Sequence, residues 1–234
     1  MNQHTRAPGV PRLDDVERDL RAAGFTPRGA FRPVAADDVP QFSNDAPVRT
    51  VLLAGNAGPH MWRAFEAACA AGPSGLDDWS ERTLGALAAR WGARAVYPFS
   101  KPYVPFQRWA MRAEPCHVSP VAMLVHPDYG LWHAYRGALL FECEMALPEP
   151  DVRPSPCEGC KTRACLSACP VSAFSSAGYD VAACAGHLHA SPRSACVKAG
   201  CLVRHACPVG RDYRYEPAQA QFHMRAFIKS HGGD

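Results

Sequence analysis

The residues best placed to do chemistry in this chain are cysteines, and they are crowded. Cys157, Cys160, Cys165, Cys169, Cys184, Cys196, Cys201 and Cys207 make up eight of the eleven in the sequence. A cubane iron–sulfur centre needs four thiolates converging on one small object, so three must come from a tight loop wrapped around it. Short gaps let consecutive sulfurs turn inward, and Gly159 removes a Cβ between the first pair. A fourth thiolate from a distant segment then ties the loop down. Cys169 and Cys207 are each followed directly by proline, Pro170 and Pro208. Proline fixes φ and carries no N–H, so it turns the chain away from the centre after a ligand.

The first run reads Cys157-x2-Cys160-x4-Cys165-x3-Cys169-Pro170. The bacterial ferredoxin run is Cys-x2-Cys-x2-Cys-x3-Cys-Pro, with its fourth cysteine on the other cluster of a two-cluster protein. The match is complete except for a middle gap longer by two. The second run is looser: Cys184, then Cys196-x4-Cys201-x5-Cys207-Pro208. Eight thiolates make two sets of four. The crossed rule assigns Cys157, Cys160, Cys165 and Cys207 to one, and Cys169, Cys184, Cys196 and Cys201 to the other. The expected cofactors are therefore two [4Fe–4S] clusters.

Three other readings compete. Disulfides suit an oxidising compartment, and no secretory signal is read at the N-terminus. Structural zinc could use Cys157 and Cys160 with Cys165 and Cys169, with His187, His189 and His205 close by in sequence; it has no need of two Cys-Pro endings. Inert buried thiols do not account for eight cysteines in one short segment. Cys69, Cys116 and Cys143 lie outside the segment and are expected to be dispensable for metal.

The net charge of +3 is too small to imply nucleic acid. From Cys157 onward there are nine Lys and Arg against five Asp and Glu, a net +4. Lys161, Arg163, Arg193, Lys198, Arg204 and Arg211 are interleaved with the cysteines, where they compensate anionic clusters or form a docking surface for an acidic partner. The start Met1-Asn2-Gln3-His4-Thr5-Arg6 has no apolar core of a signal peptide, and no apolar run approaches the roughly twenty residues of a spanning helix. A cytoplasmic protein with no membrane partner is expected.

The elements that must position the cysteines read as follows. Residues 1–11 form a disordered tail. Leu13 to Ala23 is a helix closed by Gly24, and a strand is expected around Ala30–Val34. Arg49 to Ala54 is a buried strand, followed by a glycine turn and a helix from His60 to Ala71. That turn lacks both G-x-G-x-x-G and Gly-Lys-Ser/Thr, so it reads as an ordinary strand-to-helix connection. Leu76 to Trp91 is an amphipathic helix closed by Gly92, and Phe106 to Ala113 is a shorter one. Val118 to Val125 and Leu131 to Phe141 read as two strands joined by the turn His126-Pro127-Asp128-Tyr129-Gly130. Four prolines between Leu147 and Pro156 mark a stiff linker.

The expected organisation is an α/β domain over 12–146 with a mixed sheet, the linker 147–156, a loop-rich two-cluster module over 157–216, and a C-terminal helix and tail over 217–234. The module should depend on its metal for its fold.

Residues 118–207 resemble a known family. The pattern His126-Pro127-x-x-Gly130-x-Trp132-x-x-x-Arg136-Gly137, directly upstream of a two-cluster ferredoxin-type module with an isolated Cys184 after Asp180, is similar to epoxyqueuosine reductases. Those enzymes join a cobalamin-binding, nitroreductase-like domain to two [4Fe–4S] clusters. The turn is also similar to that of the cobalamin-trafficking protein, which lacks clusters. The resemblance implies a nitroreductase-like upstream domain in which Gly130, Trp132, Arg136 and Gly137 attend a corrinoid. It also implies a tRNA substrate, the one condition under which nucleic acid would be a partner. No residue stands out as the general acid of the reductases.

The functional expectation is an iron–sulfur redox protein carrying single electrons to a partner protein or a small-molecule substrate. The alternatives are a cobalamin-dependent reductase and a zinc-stabilised binding module.

Overall fold

Helix α1 (Leu13–Ala22) forms because Val16 and Leu20 fall on one face, and both are fully buried. The computed structural model describes residues 9–43, 45–70, 75–175 and 178–232. After α1 come strand β1 (Thr26–Phe31), strand β2 (Thr50–Ala57), helix α2 (His60–Cys69), helix α3 (Leu76–Trp91), strand β3 (Arg94–Val96) and helix α4 (Phe106–Ala113). Strands β4 (His117–Val118), β5 (Leu124–Val125) and β6 (His133–Phe141) precede the cysteine segment. That segment contains β7 (Phe174–Ser175), β8 (Gly178–Tyr179) and helices α5 (Val181–Ala190), α6 (Ala195–Ala199) and α7 (Leu202–Ala206), and it is followed by α8 (Pro217–Ser230). The expected tail over residues 1–11 lies outside the described residues as far as position 8, and so does the Ala71 end of the second helix.

Two compact units result. One comprises the chain up to Asn56, His60–Glu114 and Ala134–Asp151; the other comprises Ala57–Pro59, Pro115–His133 and Val152 onward. The second division falls inside the proline-rich stretch 147–156, and the segment 115–133 groups with the cysteines.

The first unit is built on a sheet of order β1-β2-β6-β3. β1 pairs antiparallel with β2, and β3 with β6. Arg49 donates its N–H to Phe141 O while Gly55 lies over Ala134, so β2 and β6 also run in opposite directions. The expected mixed sheet is thus corrected to an antiparallel one. The helical crossover through α2 and α3 makes β3 run parallel to β2, and it leaves a one-strand gap between them that β6 fills in the opposite sense. β2 is buried along its whole length, as a continuous apolar run on a central strand should be.

A second correction concerns Val118–Val125. It is not one strand: β4 and β5 pair with each other across a tight turn in which Ala122 has φ +56° and donates its N–H to Ser119 O. Pro120, which lacks an N–H, favours that break. The strand expected around Ala30–Val34 lies earlier, at Thr26–Phe31.

The first unit also buries a charged pair. Arg28 is fully buried and meets Glu114 at 2.6 Å, and Glu114 accepts a hydrogen bond from the Tyr135 hydroxyl at 2.5 Å. Among the described residues, no helix is long and apolar enough to cross a membrane.

Candidate metal centres

The second unit gathers its cysteines from loops and short helices onto a small apolar core. Val121, Val125, Leu131, Val203 and Cys207 form that core, with Cys157, Cys165, Cys169 and Cys201 packed against it. Loop 157–165 supplies three sulfurs. Cys169 follows a short 3-10 turn, and α5, α6, α7 and their flanking residues supply the rest. Cys184 sits in the first turn of α5, whose N-cap Asp180 accepts from Ala183 N–H at 2.8 Å.

The eight sulfurs gather as two groups. Burial pushes the Cys157 thiol up, and the charges of Cys207, Cys165 and Cys160 push it further. Burial likewise raises Cys207, with Cys165 and Cys160 adding to it. In the second group burial raises Cys196, and the charges of Cys201, Cys169 and Cys184 follow. Cys184 is raised by burial and then by Cys201 and Cys169. The sulfurs whose charges act on one another fall into these two sets.

The second group lines a cavity of about 290 Å³. Cys169, Cys184, Cys196 and Cys201 face it together with Val121, Met123, Tyr179, His187, Met224 and Phe227. His187 Nε2 is buried there and has no protein hydrogen-bond partner. Ala173 donates its N–H to Cys169 Sγ at 3.3 Å. Burial pushes the Tyr179 hydroxyl up, and the neighbouring Cys184 sulfur adds to that shift.

The first group is more open. Cys160 lies on an exposed loop, and its thiol is lowered chiefly by the Arg163 N–H and then by the Thr162 hydroxyl, with Arg163's charge adding a little. Arg211 does the same for Cys207, opposing its burial.

Four thiolates in one group are a donor set used both by single zinc ions and by iron–sulfur clusters. Four thiolates around one zinc, each about 2.3 Å from it, lie about 3.8 Å from one another. Among the described residues, no three His, Cys, Asp or Glu side chains stand close enough to hold a metal ion. A cluster holds its ligands farther apart, accepts N–H···S hydrogen bonds and tolerates an apolar surround. The cavity, its backbone donors and the unpartnered His187 nitrogen fit such a group.

The four residues read from the sequence as corrinoid contacts are engaged by the protein itself. Gly130 has φ +56°, and a Cβ there would meet Val209 O at 2.1 Å. Trp132 is 1% exposed, with Arg204 over its ring and Tyr215 and His205 against its edges. Arg136 pairs with Asp77, donates to Ser80 Oγ at 3.1 Å and lies over the Phe99 ring. A Cβ on Gly137 would meet Leu84 Cδ1 at 2.6 Å. Each of the four thus also has a place in the protein's own packing.

Sequence reading missed Tyr179, Ala173 and the cavity-lining Met123, Met224 and Phe227. Only Tyr179 left a trace, as an aromatic residue directly before the N-cap Asp180.

No protein-family model matches the chain, and comparison with curated proteins found no match. Solved structures do match. One of epoxyqueuosine reductase with an epoxyqueuosine-modified tRNA-Tyr stem loop has a TM-score of 0.52 at 16% identity, covering 88% of this chain and 69% of that one. A second, from Bacillus subtilis, has a TM-score of 0.50 at 14% identity, with coverage of 88% and 69%. A C. elegans B12-trafficking protein, CblC, covers 94% of this chain and 98% of its own at 14% identity, but its TM-score of 0.48 is too low to carry weight. At these identities the likeness speaks to the fold alone.

Proposed function

We propose that the chain is an iron–sulfur redox protein that passes single electrons through two [4Fe–4S] centres. Cys157, Cys160, Cys165 and Cys207 would hold one, and Cys169, Cys184, Cys196 and Cys201 the other. The observation that carries the reading is the gathering of eight sulfurs into two mutually interacting groups of four. Fold likeness to epoxyqueuosine reductase is consistent with it.

Each cluster, when bound, supplies one-electron transfer. The chain's own residues do the rest. The Ala173 N–H donates to Cys169 Sγ, and the backbone at Leu202, Arg163 and Val209 acts to lower the thiols of Cys196, Cys160 and Cys207. Arg163 and Arg211 offset negative charge at the first centre. Met224 and Phe227 of α8 line the cavity of the second group, whereas the loop bearing Cys160 is exposed. Cys157, Cys160, Cys165 and Cys207 would hold a cluster on the more exposed loop, where a redox partner protein or a small-molecule acceptor could approach it.

Single substitutions test the assignment. Cys165→Ala should remove the first centre and Cys201→Ala the second, each halving the iron and erasing a different electron paramagnetic resonance signal of the reduced protein. Full iron in either variant would show that the ligand set is wrong.

A further inference from the structure

Away from the clustered cysteines, the first unit has a cavity of about 250 Å³ beside β3, the edge strand of its sheet. Two cations, Arg94 and Lys101, line it together with Ser100, and Pro40, Val96 and Val104 give it an apolar side. Arg94 is held in place. Its Nη1 donates to Gln41 O at 2.6 Å, its Nη2 donates to Pro40 O, and its guanidinium carbon lies 5.1 Å from the centre of the Phe42 ring. A guanidinium has five N–H donors, and these bonds use two of them on neutral carbonyls. Arg94 Nε is buried with no acceptor among the described residues.

Neither Arg94 nor Lys101 has a carboxylate partner among the described residues, and burial works against the Arg94 charge. A partly desolvated charge without a counter-ion costs stability, and an incoming anion removes that cost. The carboxylate of Glu81 accepts from Ser100 Oγ at 3.3 Å, so two cations at the cavity face one acidic group behind its wall.

We propose that this cavity binds a small organic anion, a carboxylate or a phosphate ester, with its oxygens at Arg94 and Lys101 and its carbon body against Pro40, Val96 and Val104. The fixed guanidinium offers a preset partner to paired oxygens. Lys101 is exposed, with its Nζ 6.0 Å from the centre of the Tyr103 ring, and it adds a second charge on a flexible stem. The volume falls below the roughly 300–1,000 Å³ of sites for drug-sized molecules, so the ligand should have only a few carbons.

The test follows backbone amide shifts of the full-length, anaerobically purified protein by NMR. Sodium butyrate and inorganic phosphate are added separately at constant ionic strength. Amides of Arg94, Val96, Ser100 and Lys101 should move saturably with at least one of them, and neutral butyramide should leave them unmoved. Tighter binding of butyrate identifies a carboxylate as the ligand class, and tighter binding of phosphate identifies a phosphate ester. Lys101→Ala should weaken the bound probe by about threefold. Arg94→Gln should weaken it by about tenfold or more, the loss of a charge-assisted hydrogen bond. No saturable shift with either anion, equal binding of butyramide, or unchanged affinity in the two variants would overturn the proposal. Arg94→Gln also releases the Pro40 and Gln41 carbonyls; if it does not fold, Lys101→Ala decides alone, and unchanged affinity there overturns the proposal.

Discussion

The backbones of Gly130 and Gly210 lie against each other with no room for a side chain on either. A Cβ on Gly130 would stand 2.1 Å from Val209 O, and one on Gly210 would stand 2.2 Å from the Tyr129 carbonyl carbon. Both glycines have positive φ, +56° and +72°. The turn before β6 is thereby clamped to the chain that leaves Cys207 and Pro208. Gly210→Ala should cost about 1–3 kcal/mol for the backbone conformation alone, and more for the displaced neighbour. Chemical denaturation measures that loss, and the iron of the first centre should fall with it because Cys207 is three residues away.

Trp132 should behave as a core residue. It is buried beneath Arg204, which also donates to Leu131 O and lies over Tyr215. Trp132→Ala is expected to cost about 3–5 kcal/mol. Cobalamin added to the native protein and to the variant, followed by its absorption spectrum, should show no Trp132-dependent retention.

The buried pair of Arg28 and Glu114 predicts a large, one-sided penalty. Removing Glu114 takes the carboxylate partner from a fully buried guanidinium that also donates to the Tyr135 hydroxyl and the Asn56 carbonyl. Glu114→Ala should destabilise the first unit by about 3–5 kcal/mol. Denaturant unfolding compared with native protein checks this, and the iron content should stay unchanged.

Asp128 supplies a pH test remote from the cysteines. Its carboxyl accepts two hydrogen bonds from Arg153, both at 2.7 Å, and that pairing holds it below the usual carboxylate range. A depressed folded-state value means that the pair stabilises the protein above about pH 4, where the unfolded carboxyl is ionised, and that this is lost as pH falls through the folded value. The pair is half exposed, so its worth is under about 1 kcal/mol. Carboxyl carbon NMR should show the Asp128 titration moving up in Arg153→Ala.

Parts of this molecule were legible in the sequence because local signals decide them. Helix α3 runs over the expected Leu76–Trp91, with Asp77 and Asp78 in its first turn and Gly92 at φ +62° closing it. Helix α4 likewise follows its apolar spacing. The run Val118–Val125 misled because its apolar composition says nothing of the left-handed turn at Ala122. β1 was misplaced because Pro27 and Gly29, the latter at φ +72°, disguise a strand with an irregular register. At the site, the cysteine spacing was legible because residue order along the chain is a local property. The hydroxyl of Tyr179 and the wall contributed by α8 depend on tertiary packing, which no single-residue pattern encodes.

Iron and acid-labile sulfide analysis of the anaerobically purified native chain addresses the central claim most directly. The account predicts a brown protein with about eight iron atoms and eight sulfides per chain, the content of two [4Fe–4S] centres. A stably folded, colourless chain free of iron would contradict it.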